Sequence, residues 1–276
     1  MFNSALQQRI ITALILIPLT ILAIYKLPSW GFAILTGIIV VMAAWEWTKL
    51  CGISTPVMRF SYLTMIVLVL VASYFTFFNF QILYNVFCLA ALWWIMAACW
   101  IYKYQTQQKQ LIRQKGFYPF LGIIVLLPCW LALNSLRLEE HGPSLVLLLL
   151  VLVWTVDIGA FFVGKRWGQR RLAVNVSPGK TLEGLYGGLI CVSAVAIIAG
   201  LLLNFSPQKY LFLLLIVVVS AIFSVVGDLF ISVLKRQQGL KDTGALLPGH
   251  GGLLDRIDSL LAAAPIFVLG LHTFVI

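Results

Sequence analysis

Acidic side chains are scarce in this chain. Nine Asp and Glu stand against nineteen Lys and Arg in 276 residues, and charged residues of both signs make up only 10% of the sequence. With 62% hydrophobic residues and a mean hydropathy of +1.02, that shortage excludes a soluble globule, in which roughly a quarter of residues are charged. Cysteine is also sparse. Cys51, Cys88, Cys99, Cys129 and Cys191 lie in or beside apolar runs and none forms a CxxC pair, so neither a zinc site nor a disulfide framework is expected, and buried apolar thiols are. The first apolar run is preceded by one Arg and lacks a small-residue cleavage site, which predicts a retained signal anchor. No internal repeat of the sort that builds inverted-repeat transporters is visible.

What the chain has instead is apolar runs of bilayer length. Nine of them lie at about 9–26, 28–47, 60–80, 82–102, 117–136, 143–164, 183–203, 210–231 and 255–275. The expected fold is all-α, a polytopic integral membrane protein of about nine transmembrane helices with a cytoplasmic N-terminus. The third and fourth runs are the least clearly divided, with Asn79 and Gln81 as the polar break, and Pro18 and Pro128 fall inside spans, where they should kink them. Nine spans with the N-terminus inside put sixteen of the nineteen Lys and Arg on the inner side and leave only Lys26, Arg137 and Lys209 outside. That bias supports the orientation. The net charge of +10 therefore reads first as a topology signal and second as attraction to anionic lipid, with no need for a nucleic-acid partner. No organelle-targeting extension precedes the first run, which favours a bacterial plasma (inner) membrane.

The few acids are unevenly placed. Residues 1–136, spans one to five, contain only Glu46 and read as membrane scaffold. Glu46, between Trp45 and Trp47 at the inner end of a span, reads as an ordinary interface position. Residues 137–276, spans six to nine with inner loops 165–184 and 232–254, read as the catalytic region. Asp157, Glu183, Asp228, Asp242, Asp255 and Asp258 all fall there, at or near the inner face, whereas Glu139 and Glu140 in RLEEH form an outer, hydrated turn. Asp157 lies about 12 Å deeper than Lys165 at 1.5 Å per helical residue and needs a partner or a water-filled cavity. Gly159 and Gly164 beside it would let another helix or a ligand come close.

The densest charge lies in GDLFISVLKRQQGLKDTGALLPGHGGLLDRIDS, residues 227–259. Asp228, Ser232 and Lys235 are spaced i, i+4, i+7, one stripe of a helix, and Asp255 and Asp258 share a face at i, i+3 beside Arg256. The glycines between them suit a loop that folds around phosphates. Carboxylates for a hard cation together with bases for phosphate oxygens are what metal-assisted phosphoryl or nucleotidyl transfer needs. The alternative is that these acids and bases only pair with one another at solvated helix ends. His250, held in PGHGG, could donate to a phosphate or simply tie the loop. The remaining histidines, His141 and His272, lie outside and read as structural. A second basic segment, KRWGQRRLAVNVSPGKTLEG at 165–184, contains SPGKT. It is not a P-loop, because position 174 is Val where Gly is required and no preceding strand is expected. Ser177, Pro178, Lys180, Thr181 and Glu183 then stand at the start of span seven, where free N–H groups favour an anion.

Ser232, Lys235, Arg236, Lys241, Asp242, Gly244, Pro248, His250, Gly251, Gly252, Asp255, Arg256 and Asp258, at these spacings, resemble the signature of the phosphatidate cytidylyltransferases, the CDP-diacylglycerol synthases. The SP-x-K-T-x-EG pattern resembles the same family. The resemblance implies transfer of CMP from CTP to phosphatidate, giving CDP-diacylglycerol and pyrophosphate. By position, and as the resemblance implies, Asp228 and Asp255 are expected to ligate Mg2+, with Asp258 and Asp157 in support and a second cation left open. Lys180, Lys235, Arg236, Lys241 and Arg256 would hold phosphates, with Ser177, Thr181, Ser232 and Asp242 in the substrate site. The resemblance also suggests a homodimer. A CDP-alcohol phosphatidyltransferase would show DGxxAR followed by GxxxDxxxD, and neither occurs. The alternative from another class is an ion-coupled transporter using Asp157 and Asp228 as intramembrane carboxylates. It leaves the long Gly-rich basic loop without a purpose.

Overall fold

A computed structural model of the chain describes residues 4–107, 115–202, 206–244, 246 and 251–275. Among these, nine α-helices account for most of the backbone: α1 Ser4–Lys26, α2 Ser29–Leu50, α3 Pro56–Tyr74, α4 Phe80–Gln107, α5 Tyr118–Leu138, α6 Gly142–Trp167, α7 Leu182–Leu202, α8 Pro207–Gln237 and α9 Leu254–Phe274. Eight of them, α2 to α9, are long and apolar enough to cross a membrane, and α1 contributes a shorter apolar segment, Leu14–Lys26. The chain is thus a multi-pass, all-α membrane protein, as its apolar runs predict.

Local chemistry sets the ends of these helices. Pro56 and Pro207 open α3 and α8, where the missing N–H costs nothing. The weak division between the third and fourth runs is a single 3-10 turn, Phe75–Phe78. After it, the Asn79 side chain accepts from the Ile82 N–H at 3.1 Å and caps α4. Pro18 and Pro128 lie inside α1 and α5 as expected, and Pro265 lies inside α9.

Helix α8 runs to Gln237, beyond the end near residue 231 that its hydropathy suggests. Asp228, Ser232, Lys235 and Arg236 therefore all stand on continuous helix. It stops where Gly239 takes φ +66°. There the Gly239 N–H donates to the Arg236 carbonyl at 3.1 Å and the Leu240 N–H to the Lys235 carbonyl at 2.8 Å, the double closure that a left-handed residue after a helix permits.

One continuous buried cluster runs through the bundle, with Trp47, Phe87, Trp94, Phe230 and Phe267 as its largest fully buried side chains. Trp93 and Trp94 of α4 meet the Phe230 ring of α8 edge-on at 5.8 and 5.7 Å. Polar bonds knit one end of the bundle. Trp47 Nε1 donates to the Tyr118 carbonyl at 2.9 Å, and the Tyr118 hydroxyl donates to Gln237 Oε1 at 2.9 Å, which sets the ends of α2, α5 and α8 side by side. At the other end, Arg137 donates to the Leu27 carbonyl at 3.0 Å, and His272 stands 3.6 Å from Glu139 and 5.2 Å, ring to ring, from Phe80. The RLEEH turn is therefore tied to α9.

Two expectations need correcting. Segment 165–184 is not a plain loop: Arg171–Ala173 (β1) pairs antiparallel with Ser177–Thr181 (β2), Ala173 opposite Ser177. A strand does precede SPGKT, but as a hairpin partner, so the site remains unlike a P-loop. Nor are all the cysteines buried. Cys51 and Cys129 are, Cys88 and Cys191 are partly so, and Cys99 is exposed, because a helix face turned to lipid can carry an apolar thiol without covering it. Burial pushes the Cys51 thiol up to about 12, so it stays protonated and inert.

Candidate active site

Four parts of the chain meet at one end of the bundle: the last turns of α8, the first turns of α9, the loop between them and the β1–β2 hairpin. On α8 the predicted stripe forms. The Ser232 hydroxyl donates to Asp228 Oδ1 at 3.2 Å, and Lys180, presented by β2, pairs with Asp228 Oδ2. One turn further, Lys235, 9% exposed, donates to Asp255 Oδ1 of α9 at 2.7 Å. The other oxygen of Asp255 accepts from the Thr243 N–H at 2.9 Å, the Thr243 hydroxyl at 3.0 Å and the Gly252 N–H at 3.1 Å. Asp255 thus gathers both ends of the loop around itself. Asp258, buried, accepts from the Ser259 N–H at 2.8 Å and lies within electrostatic reach of Asp228, Lys180 and Lys235. Asp157 on α6 is exposed and within reach of Lys180, Asp228 and Arg256.

The structure therefore brings Asp157, Lys180, Asp228, Ser232, Lys235, Asp255, Arg256 and Asp258 into one cluster. Asp228 and Asp255 lie toward the same end of the bundle, each paired with a lysine, with Asp258 in electrostatic reach of Asp228 and of both lysines. The other predicted residues are engaged elsewhere or lie at the edge of this cluster. Thr181 is buried, and its hydroxyl accepts from the Gly184 N–H at 3.1 Å, capping α7. With the Leu182 N–H bound to the Arg170 carbonyl at 2.9 Å, the start of α7 has little left to offer an anion. Glu183 accepts from the Gln169 and Arg170 N–H groups at 3.0 and 3.1 Å and pairs with Arg170 Nε at 3.1 Å, so it braces the hairpin. Ser177 lies partly buried on β2. Arg236, exposed, donates to the hairpin carbonyl of Val176 at 3.3 Å. Lys241 and Asp242 lie exposed on the loop, but Asp242 is near the cluster: a Cβ on Gly251 would lie 3.4 Å from Asp255 Oδ2 and 3.6 Å from Asp242 Oδ1. His250 falls outside the described residues.

Sequence reasoning missed Glu46. Far from an ordinary interface position, it is 1% exposed and reaches the same loop. Its Oε2 accepts from the Thr243 hydroxyl at 2.9 Å and the Leu254 N–H at 2.8 Å, and its Oε1 from the Leu253 N–H at 3.0 Å. Gly244 and Gly252 lie so close to this carboxylate that a Cβ on either would overlap it. The one available signal was that Glu46 is the sole acid of the first five spans.

Among the described residues, no three carboxylate, His or Cys side chains group tightly enough to hold a metal ion unaided. The donors present do fit a cation that takes one or two carboxylates and shares phosphate oxygens and water, as magnesium does. Asp228 is the freer of the two predicted ligands, engaged by one hydroxyl and one ammonium. Asp255 Oδ2 already accepts three hydrogen bonds, so only Oδ1, next to Lys235, is left for a ligand.

Residues 7–274 match the model of the Cytidylyltransferase family. The chain belongs to that family. The cytidylyltransferase is 40% identical over 265 residues to a protein of Pseudomonas aeruginosa named phosphatidate cytidylyltransferase, covering 95% of each chain. A Haemophilus influenzae protein of the same name is 35% identical over 283 residues, covering 95% of this chain and 97% of its own. A Bacillus subtilis protein, also so named, is 38% identical over 159 residues, 58% and 59% of the two chains. Nothing in these likenesses favours an ion-coupled transporter.

Proposed function

We propose that this membrane cytidylyltransferase transfers CMP from CTP to phosphatidate, forming CDP-diacylglycerol and pyrophosphate. The observation that carries the reading is the meeting of Asp228, Asp255 and Asp258 with Lys180, Lys235 and Arg256 at one end of the bundle, in a chain so closely similar to named phosphatidate cytidylyltransferases. The phosphate oxygen of phosphatidate is already anionic and needs no general base. It attacks the α-phosphorus, and the bond to the bridging oxygen breaks as pyrophosphate leaves. The difficulty is electrostatic: two anions must meet, and charge must be neutralised on the leaving group.

Lys180 and Lys235 meet that need, because each already stands at a carboxylate where the phosphates are received. Arg256, Arg236 and Lys241 extend the basic rim, and Ser232 fixes the rotamer of Asp228. Asp228 and Asp255, with Asp258 and Asp157 in support, would hold magnesium, whose charge at that place offsets the negative charge of the triphosphate. Whether a second cation joins it is left open. Residues 137–276 carry the chemistry and 1–136 the scaffold, apart from Glu46. The lysine and arginine bias supports a site on the cytoplasmic face, where CTP is found, and the bacterial relatives support the inner membrane. The working form is taken to be a homodimer.

The test is release of pyrophosphate by purified protein in detergent given CTP, phosphatidate and magnesium. Omission of either substrate or of the metal should abolish it. Asp228→Asn should lower the rate by at least about 100-fold, the scale on which removing a group that acts on transition-state charge is felt, with an unchanged thermal midpoint. Near-normal turnover by that variant would remove Asp228 from the site.

A further inference from the structure

We infer that Glu46 is a positioning residue for Asp255, acting across the bundle from the half of the chain that otherwise serves as scaffold. The inference rests on the proposed role of Asp255 in CMP transfer. Glu46 and Thr243 are 197 positions apart in sequence, so their contact is made only by the folded bundle. Two features of the contact go beyond packing.

The first is what Glu46 binds. Leu253 and Leu254 supply the first N–H groups of α9, which have no partner inside the helix, and a carboxylate at that end also meets the positive end of the helix dipole. Leu253, at the helix boundary, makes no side-chain cap; among the described residues it is Glu46 of α2 that takes these two N–H groups, at 3.0 and 2.8 Å. The next residue of α9 is Asp255. A group that fixes the first turn of α9 in place and rotation therefore fixes that carboxylate. The second feature is the hydroxyl of Thr243. It carries one proton and lies 2.9 Å from Glu46 and 3.0 Å from Asp255, so the two acids share it. The loop is shaped for this arrangement, since Gly244 and Gly252 give the Glu46 carboxylate the volume a Cβ would take.

The experiment compares wild type with Glu46→Gln and Thr243→Val. Hydrogen exchange of the purified protein is followed by mass spectrometry, and pyrophosphate release is measured against magnesium, CTP and phosphatidate. In Glu46→Gln, one carboxylate oxygen becomes an NH2 that opposes the donors around it. Peptides covering 239–256 should exchange at least tenfold faster, while those from the middle of α2 and α5 are unchanged. Turnover should fall at least tenfold and half-saturation by magnesium should rise, with KM for phosphatidate within twofold of wild type. Thr243→Val, which keeps the cap and loses the shared hydroxyl, should shift both readouts in the same direction by less, and it decides the matter if Glu46→Gln does not fold. Unchanged exchange in 239–256 would overturn the inference, as would unchanged kcat with a faster loop. Should wild type release no pyrophosphate at all, the proposed activity falls, while the exchange data still report whether Glu46 caps α9.

Discussion

Asp228 and Asp255 both stand on apolar helices toward the same end of the bundle, each facing a lysine, yet their surroundings give them different work. Asp228 is met by one hydroxyl and one ammonium and can exchange partners. Asp255 is held through Oδ2 by three donors of the loop, so changing it disturbs the loop as well as the site. Substitution should therefore separate them: Asp228→Asn is expected to leave the thermal midpoint alone, and Asp255→Asn to lower it. Gly252 is one of the tight steric points of this loop. An added methyl there would meet the backbone nitrogen of Gly244 at 2.7 Å as well as the Glu46 and Thr243 side chains, and a backbone atom cannot turn aside. Gly252→Ala should destabilise the protein by about 1–3 kcal/mol, the usual cost of overpacking, and lower turnover, as thermal unfolding and initial rates in detergent will show. Both aspartates were visible in the sequence because helical spacing and local charge announce them. The Glu46 contact was not, since nothing near position 46 specifies a partner at 243 or 253.

At the scale of elements, the apolar runs located all nine helices, because bilayer length and hydropathy constrain them directly. The hairpin escaped notice, being short, basic and without clear alternation of apolar residues. Its position depends on side-chain anchors: Asn175 to the main chain and side chain of Gln105 at 2.9 and 3.1 Å, Arg236 to Val176 at 3.3 Å, and Glu183 to the N–H groups of 169 and 170. These anchors hold β2 so that Lys180 reaches Asp228. Glu183→Gln weakens one of them while touching neither carboxylate. Arg170 is 70% exposed, so little stability should be lost. The expected result is a KM for CTP raised about three- to tenfold, on the order of one hydrogen bond in binding energy, with kcat near wild type. An unchanged KM would mean that the hairpin is placed by its other contacts alone.

For the molecule as a whole, the decisive quantity is which way the charge asymmetry points it. Helix α6 has 26 residues, a length of about 39 Å at 1.5 Å per residue, against a hydrocarbon core of about 30 Å. Its two ends, exposed Glu140 just before it and exposed Arg166 near its close, must therefore stand in different aqueous compartments. The proposed site lies at the Arg166 end, where Lys180 and Asp228 meet. Since CTP is made and kept in the cytosol, that end must face inward for the chemistry to run. The bias of sixteen of nineteen Lys and Arg toward the same side supplies the physical reason it would. Glu140→Cys and Arg166→Cys test this directly, because neither touches the cluster and the loss of one base in sixteen leaves the bias intact. In intact bacterial cells, a membrane-impermeant maleimide should label Glu140→Cys above the level set by the five native thiols. Arg166→Cys should be labelled only once the membrane is opened. The reverse pattern would put the lysines and aspartates outside, away from any CTP, and the proposed reaction could not take place there.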